Sequence, residues 1–248
     1  EPYQIHVPTL EHQIVDSAIK RLEEAKKIEP TGLRGRRPNG VKYPHIFYKK
    51  AGAEYGRLPE IMKVKIDLSR FILGLSSYAG FYAQNLWLKA FGDVGFNILD
   101  ENTNEFGGKK ASIDGDIDFV VEKDDVEFGV EVKNGFSYAP DIKQKFRIAA
   151  ELGVIPFFVV RRLPYGMRKW ITDNGGLVLP YNDSIYPFDC ENKTRECINL
   201  LGLPMIMLED IDDRFKDKLS GIFRLAYARK ERLRGMLGRY IQALRLVA

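Results

Sequence analysis

The chain has 248 residues, 45% of them hydrophobic and 29% charged, with a formal net charge of +4. That composition belongs to a soluble globular protein long enough to bury a substantial core, and the mild net charge by itself says little about nucleic acid. Two cysteines, Cys190 and Cys197, exclude a disulfide framework and lack metal-ligand spacing, so free thiols in a cytoplasmic setting fit best. No apolar run approaches a membrane span and no signal-peptide pattern is visible.

Residues 9–28 carry Leu10, Ile14, Ala18, Ile19 and Leu22 at helical spacing, with Thr9 as N-cap and Pro30 and Gly32 as stops. Residues 31–52 hold Arg34, Arg36, Arg37, Lys42, Lys49 and Lys50 with no acidic residue, interleaved with Tyr43, Phe47 and Tyr48. Glycine and proline punctuation makes this stretch a loop or mobile arm suited to a DNA backbone or minor groove; a solvated basic loop is the plain alternative. Residues 58–75 and 77–92 read as two helices, the second with Phe81, Leu86, Trp87, Ala90 and Phe91 toward the core and Gln84 as a polar helper residue. Phe96-Asn97-Ile98-Leu99 then starts a sheet, and residues 100–113 form a polar loop with Lys109 and Lys110 placed to meet a phosphate.

The most informative stretch is 115–135, GDIDFVVEKDDVEFGVEVKNG. Two alternating runs, Ile117–Val121 and Phe128–Lys133, flank an acidic turn and predict a β-hairpin. Glu131 and Lys133, two apart on one strand, leave the same face, while Val130 and Val132 point into the core. The hairpin brings Asp118 beside Glu131. Two converging carboxylates form an oxygen-rich site for Mg²⁺ or Mn²⁺, and the neighbouring lysine can orient or deprotonate a water or neutralise charge on a phosphoryl oxygen. Asp116 shares strand parity with Asp118 and is the second-ranked ligand. The pattern Glu-x-Lys also occurs at Glu24/Lys26 and Glu191/Lys193, but only the Glu131 copy lies in an apolar strand with an aspartate 13 residues upstream. An ordinary cross-strand ion pair is the competing reading.

After Asn134-Gly135 turns the chain, residues 139–152 form a helix with Pro140 in its first turn and Gly153 past its end; Lys143 and Lys145 on it are candidates to reach DNA phosphates, with a plain solvated face as the alternative. Residues 154–160 are a buried strand whose paired part begins at Pro156. A helix near Met167–Thr172 and a strand at Leu177–Leu179 follow. Residues 208–246 carry a helical apolar stripe with breaks at Gly221, Gly235 or Gly238. From Arg224 to Arg245 seven basic residues face Glu231 alone.

On GDID at 115–118 and EVK at 131–133, with a helix and strand after them, the chain resembles the PD-(D/E)XK nuclease superfamily, which holds restriction endonucleases and archaeal Holliday-junction resolvases. The resemblance spans about residues 76–165. It implies an αβββαβ core with a mixed central sheet, Asp118 and Glu131 as metal ligands assisted by the Val132 carbonyl, Lys133 as catalytic lysine, Mg²⁺ or Mn²⁺ as cofactor and DNA as substrate. Ile117 stands where the motif name has proline, and Gln84-Asn85 stands where many members have a helix glutamate.

The resulting expectation is an α/β protein with a basic helical region at 1–75, a nuclease core at 76–190 and a basic helical region at 191–248, in one compact arrangement. Its expected activity is metal-dependent cleavage of double-stranded DNA as a restriction-type homodimer, with no membrane partner. Two alternatives remain: a nuclease for junctions or damaged DNA, and a DNA-binding module that keeps the fold without turnover.

Overall fold

The structure, a computed structural model, describes residues 19–35, 45–50, 58–164, 166–201 and 205–247. It divides into two compact units, Glu1–Leu75 and Ser76–Ala248.

In the first unit, helix α1 covers described residues 19–24 and ends earlier than its apolar spacing predicts. Lys26 turns the chain with φ 52°, and strand β1 (Ile28–Gly35) pairs antiparallel with β2 (His45–Lys50). The basic stretch expected as a loop is therefore strand at both ends. Pro30 sits in β1 next to an irregularity between Pro30 and Arg34, where a missing ladder donor is tolerated. Arg36, Arg37, Lys42 and Tyr43 lie outside the described residues.

Helix α2 (Leu58–Asp93) is one continuous helix of 36 residues rather than two. Nothing between residues 75 and 77, neither a proline nor a glycine, stops the helix there. Ala83, Leu86, Trp87, Ala90 and Phe91 are buried, whereas Phe81, assigned to the core from its spacing, is 63% exposed.

The second unit is α/β, built on a five-stranded mixed sheet of order β3-β6-β7-β8-β9, from β3 (Asn97–Thr103), β6 (Ile117–Lys123), β7 (Val126–Phe136), β8 (Ile155–Arg162) and β9 (Leu177–Pro180). The first three strands pair antiparallel and the last three parallel. The region expected as a loop at 100–113 instead completes β3 and forms a small hairpin, β4 (Glu105–Phe106) with β5 (Lys109–Lys110). Gly107 and Gly108, at φ 56° and 72°, supply the left-handed turn. Asp124 and Asp125, at φ 50° and 60°, do the same for β6–β7, so that hairpin closes through a two-residue turn.

Parallel pairing demands crossovers, and helices α3 (Ala139–Leu152) and α4 (Met167–Asp173) supply them. Helix α3 has the bounds that its sequence predicts, with proline in its first turn and Gly153 in the left-handed conformation beyond its end. The β8 ladder starts at Ile155 rather than Pro156, with Ile155 opposite Phe128. Asn134-Gly135 does not turn the chain. Strand β7 runs on to Phe136 through a register shift between Lys133 and Phe136, and Asn134 donates to Ala79 and Ile185 carbonyls at 3.0 and 2.6 Å.

Helices cover both faces of the sheet. On one, Phe91 of α2 meets Phe119 and Phe157 edge-on at 5.5 Å each, and Phe223 meets Phe96 at 5.2 Å. On the other, Phe146 of α3 contacts Phe158, Trp170 and Tyr240. The C-terminal stripe forms α6 (Asp213–Tyr227), which supplies Phe223, and α7 (Lys230–Val247), which supplies Tyr240. The break between them falls at 228–229 and not at a glycine. Between β9 and α6 lie β10 (Ser184–Tyr186), a 3-10 turn at Phe188–Cys190, α5 (Glu191–Leu201) and β11 (Met205–Met207), which pairs parallel with β10. Glu191 and Lys193 thus stand on a helix, not in a polar loop. Among the described residues no helix is long and apolar enough to cross a membrane.

Candidate active site

Strand β7 builds the site by alternation. Phe128, Val130 and Val132 enter the core shared with α2, which leaves Gly129, Glu131 and Lys133 facing α3. Gly129 is where the helix closes onto the strand: a Cβ there would stand 2.8 Å from Val154 Cγ2 and 3.0 Å from Ala149 Cβ. That close approach brings the side chains of α3 down onto Glu131.

Asp118 enters from β6. The hairpin register pairs Phe119 with Val130, so the next position out sets Asp118 across from Glu131. There the ladder has ended, and Asp118 Oδ2 replaces a strand partner by accepting the Val132 N–H at 2.6 Å. In a strand the N–H and C=O of one residue point to the same side, so the Val132 carbonyl also faces Asp118. Gln84 Nε2 donates to the Asp118 backbone carbonyl at 3.4 Å and to Asn102 Oδ1 at 3.3 Å.

Glu131 is only 2% exposed and lies between two ammonium groups. Lys133 Nζ is 2.7 Å from Glu131 Oε1 and 3.1 Å from Asp141 Oδ2. Lys145 Nζ is 3.5 Å from Glu131 Oε2 and donates to Asp116 Oδ1 at 3.0 Å and to the Asp116 carbonyl at 2.6 Å. Glu131 Oε2 itself is buried without a hydrogen-bond partner.

The electrostatics follow from burial and crowding. Burial, then the neighbouring Asp118 charge, push the Glu131 carboxyl up to about 7 against the pull of both lysines. Asp118 is also raised, chiefly by burial, although the Val132 N–H and the lysines favour its charged form. Burial opposes the charge on Lys133, but Glu131 and Asp141 outweigh it and hold the ammonium above its ordinary value. Lys145 has the same balance, with burial offset by Glu131 and Asp116. Both lysines are therefore cations at neutral pH.

Among the described residues no three His, Cys, Asp or Glu side chains gather as a metal site. The oxygens present still fit a hard divalent cation. Mg²⁺ is commonly held by one or two carboxylates and completes its shell with water and phosphate oxygens. Here Asp118, the unsatisfied Glu131 Oε2 and the Val132 carbonyl form that donor set.

Of the residues singled out in the sequence, Gln84, Asp116, Asp118, Glu131, Val132, Lys133 and Lys145 come together in this cluster. Others do not join it. Lys109 and Lys110 are exposed on β5, and Lys143 is exposed with its ammonium 5.5 Å over the Trp170 ring. Arg34 is on β1 of the first unit, and Arg36 and Arg37 lie outside the described residues. Asp141 was not foreseen; its signal is an acid in the first turn of the helix that follows β7. Lys145, read from its helix face as near enough to this strand to reach DNA phosphates, stands beside Glu131.

No protein-family model, no curated protein and no solved structure matches the chain.

Proposed function

We propose that the chain is a divalent-metal-dependent endonuclease of the PD-(D/E)XK type that hydrolyses phosphodiester bonds in double-stranded DNA, acting as a restriction-type homodimer. The observation that carries this reading is the Glu131–Lys133 pair, 2.7 Å apart on one strand, with Asp118 opposite. With the β4–β5 hairpin set aside as an insertion after β3, the element order α2-β3-β6-β7-α3-β8 is compatible with the core that the sequence resemblance implies.

In this reading Asp118, Glu131 and the Val132 carbonyl hold Mg²⁺ or Mn²⁺. When bound, the ion polarises a phosphoryl oxygen and makes a coordinated water more acidic. Lys133 acts as a fixed cation. Pinned between Glu131 and Asp141, it donates hydrogen bonds to the attacking water or to a non-bridging phosphate oxygen, where negative charge grows in the transition state. Its raised pKa argues against service as a free-amine base. Gln84, bound to the Asp118 backbone, steadies the carboxylate from the helix side.

The test is incubation with supercoiled plasmid, linear duplex, single-stranded and four-way-junction DNA with Mg²⁺ or Mn²⁺, beside an EDTA control. Discrete duplex fragments that vanish with EDTA support the restriction-type reading. Cutting confined to the junction moves the assignment to a resolvase. DNA binding without metal-dependent cutting of any substrate overturns the nuclease in favour of the binding module.

A further inference from the structure

A cavity of about 980 Å³ opens between the β4–β5 hairpin, the C-terminal half of α3 and α7. Its polar lining is Lys109, Lys110, Arg147, Arg234 and Arg245, with Glu151 as the acidic member. That carboxylate is already engaged: it accepts Arg147 Nε at 2.7 Å and the Ser112 N–H and hydroxyl at 2.6 and 2.9 Å. Lys109, Lys110 and Arg245 make no ion pair among the described residues. Uncompensated cations from separate elements around one concavity focus positive potential into it and favour a polyanion.

The cavity is joined to the candidate active site through one segment. Residues 112–116 run along α3 and are fastened to it at both ends and in the middle. Ser112 binds Glu151 and Arg147, the Asp114 carbonyl accepts Gln144 Nε2 at 2.7 Å, and Asp116 binds Lys145. The segment then enters β6, where Asp118 stands two residues on. From Lys145 to Glu151 the helix rises about 9 Å, equal to two or three base-pair steps of a duplex.

We propose that this basic cavity holds the phosphate backbone of nucleic acid flanking the scissile bond, with Lys109 and Lys110 on one wall and Arg245 on the other. The inference rests on the endonuclease reading for the scissile bond, but the binding it describes is separable from cleavage. Neutralising cations that release condensed counterions from DNA lowers the salt dependence of binding by about one unit of slope per contact.

The experiment measures binding of a labelled duplex by anisotropy, across a salt series in EDTA, to the full chain carrying Glu131→Gln. The same measurement follows on that background with Lys109→Gln/Lys110→Gln, with Arg245→Gln, and with all three. Thermal melts establish that each variant is folded, and because the two walls come from different elements, failure of one variant leaves the other to decide. The slope of log K against log salt is expected to fall by about two, one and three, with affinity at least about tenfold weaker in the triple variant. Unchanged slope and affinity in folded variants would overturn the proposal. Polyglutamate bound as tightly as duplex and lost in the same variants would overturn the nucleic-acid assignment. If the unmutated chain cuts no DNA while the slopes fall, the cavity assignment stands and the nuclease reading fails; cutting with unchanged slopes means the reverse.

Discussion

Lys145 and Glu131 meet across the strand–helix interface, with the ammonium 3.5 Å from the one Glu131 oxygen that has no hydrogen bond. This lysine stands against the oxygen that a divalent cation would use, and it also ties Asp116 to α3. On the proposed reading it is a resident cation that offsets the buried carboxylate charge in the metal-free protein. Lys145→Gln removes a competing charge while keeping a donor for Asp116. With the Lys145 side chain 13% exposed and Glu131 buried, the variant is expected to bind Mn²⁺ severalfold to about tenfold more tightly by calorimetry, about 1 kcal/mol. Weaker Mn²⁺ binding would mean that Lys145 serves the site by holding its shape.

The raised Glu131 carboxyl makes stability depend on pH. In the unfolded chain it titrates near its ordinary 4.5, in the folded chain near about 7, so between these values the folded state holds a proton that the unfolded state has released. Stability is therefore present in full below the lower value and declines as pH rises through the upper one. The shift corresponds to at most about 3 kcal/mol, and raised Asp118 adds in the same direction. Urea melts in EDTA should show the wild type losing stability from pH 4.5 to 8, and Glu131→Gln, uncharged throughout, losing much less. Parallel pH profiles for the two proteins would contradict the burial argument.

Gly129 sets the distance between α3 and β7. An alanine there would put its methyl 2.8 Å from Val154 Cγ2, 2.9 Å from Ile117 Cδ1 and 3.0 Å from Ala149 Cβ, three buried residues. Overpacking of this kind costs about 1–3 kcal/mol. Gly129→Ala should lower the urea midpoint accordingly. It should also loosen the Lys133–Asp141 contact by which α3 positions the lysine, lowering metal-dependent cleavage by more than the unfolded fraction explains. Unaltered stability would show that the interface yields where the contacts say it is tight.

The central hairpin and α3 were legible because local chemistry agrees with the tertiary outcome there. Apolar β-branched and aromatic runs on either side of Asp124-Asp125 specify β6 and β7, while Pro140 and Gly153 mark the ends of α3. Glu131 and Lys133 followed from strand parity alone. The misread elements lacked such agreement. Residues 58–75 and 77–92 each fit helical periodicity, yet nothing between them interrupts the helix; Phe81 fits an apolar spacing but faces out; residues 228–229 break the C-terminal helix while three nearby glycines do not. The partners of Glu131 and Lys133 on α3 were harder still. Asp141 and Lys145 are ordinary charges on an amphipathic helix until the β7–α3–β8 crossover brings that helix face onto β7.

The most direct test of the account is single-turnover cleavage of duplex DNA by Lys133→Ala, with Mn²⁺ binding measured on the same preparation. The account predicts that Mn²⁺ still binds, since Asp118, Glu131 and the Val132 carbonyl remain, while the cleavage rate falls about 10²–10³-fold with loss of the cation that meets the transition state. Wild-type rates of metal-dependent cleavage in folded Lys133→Ala would contradict it.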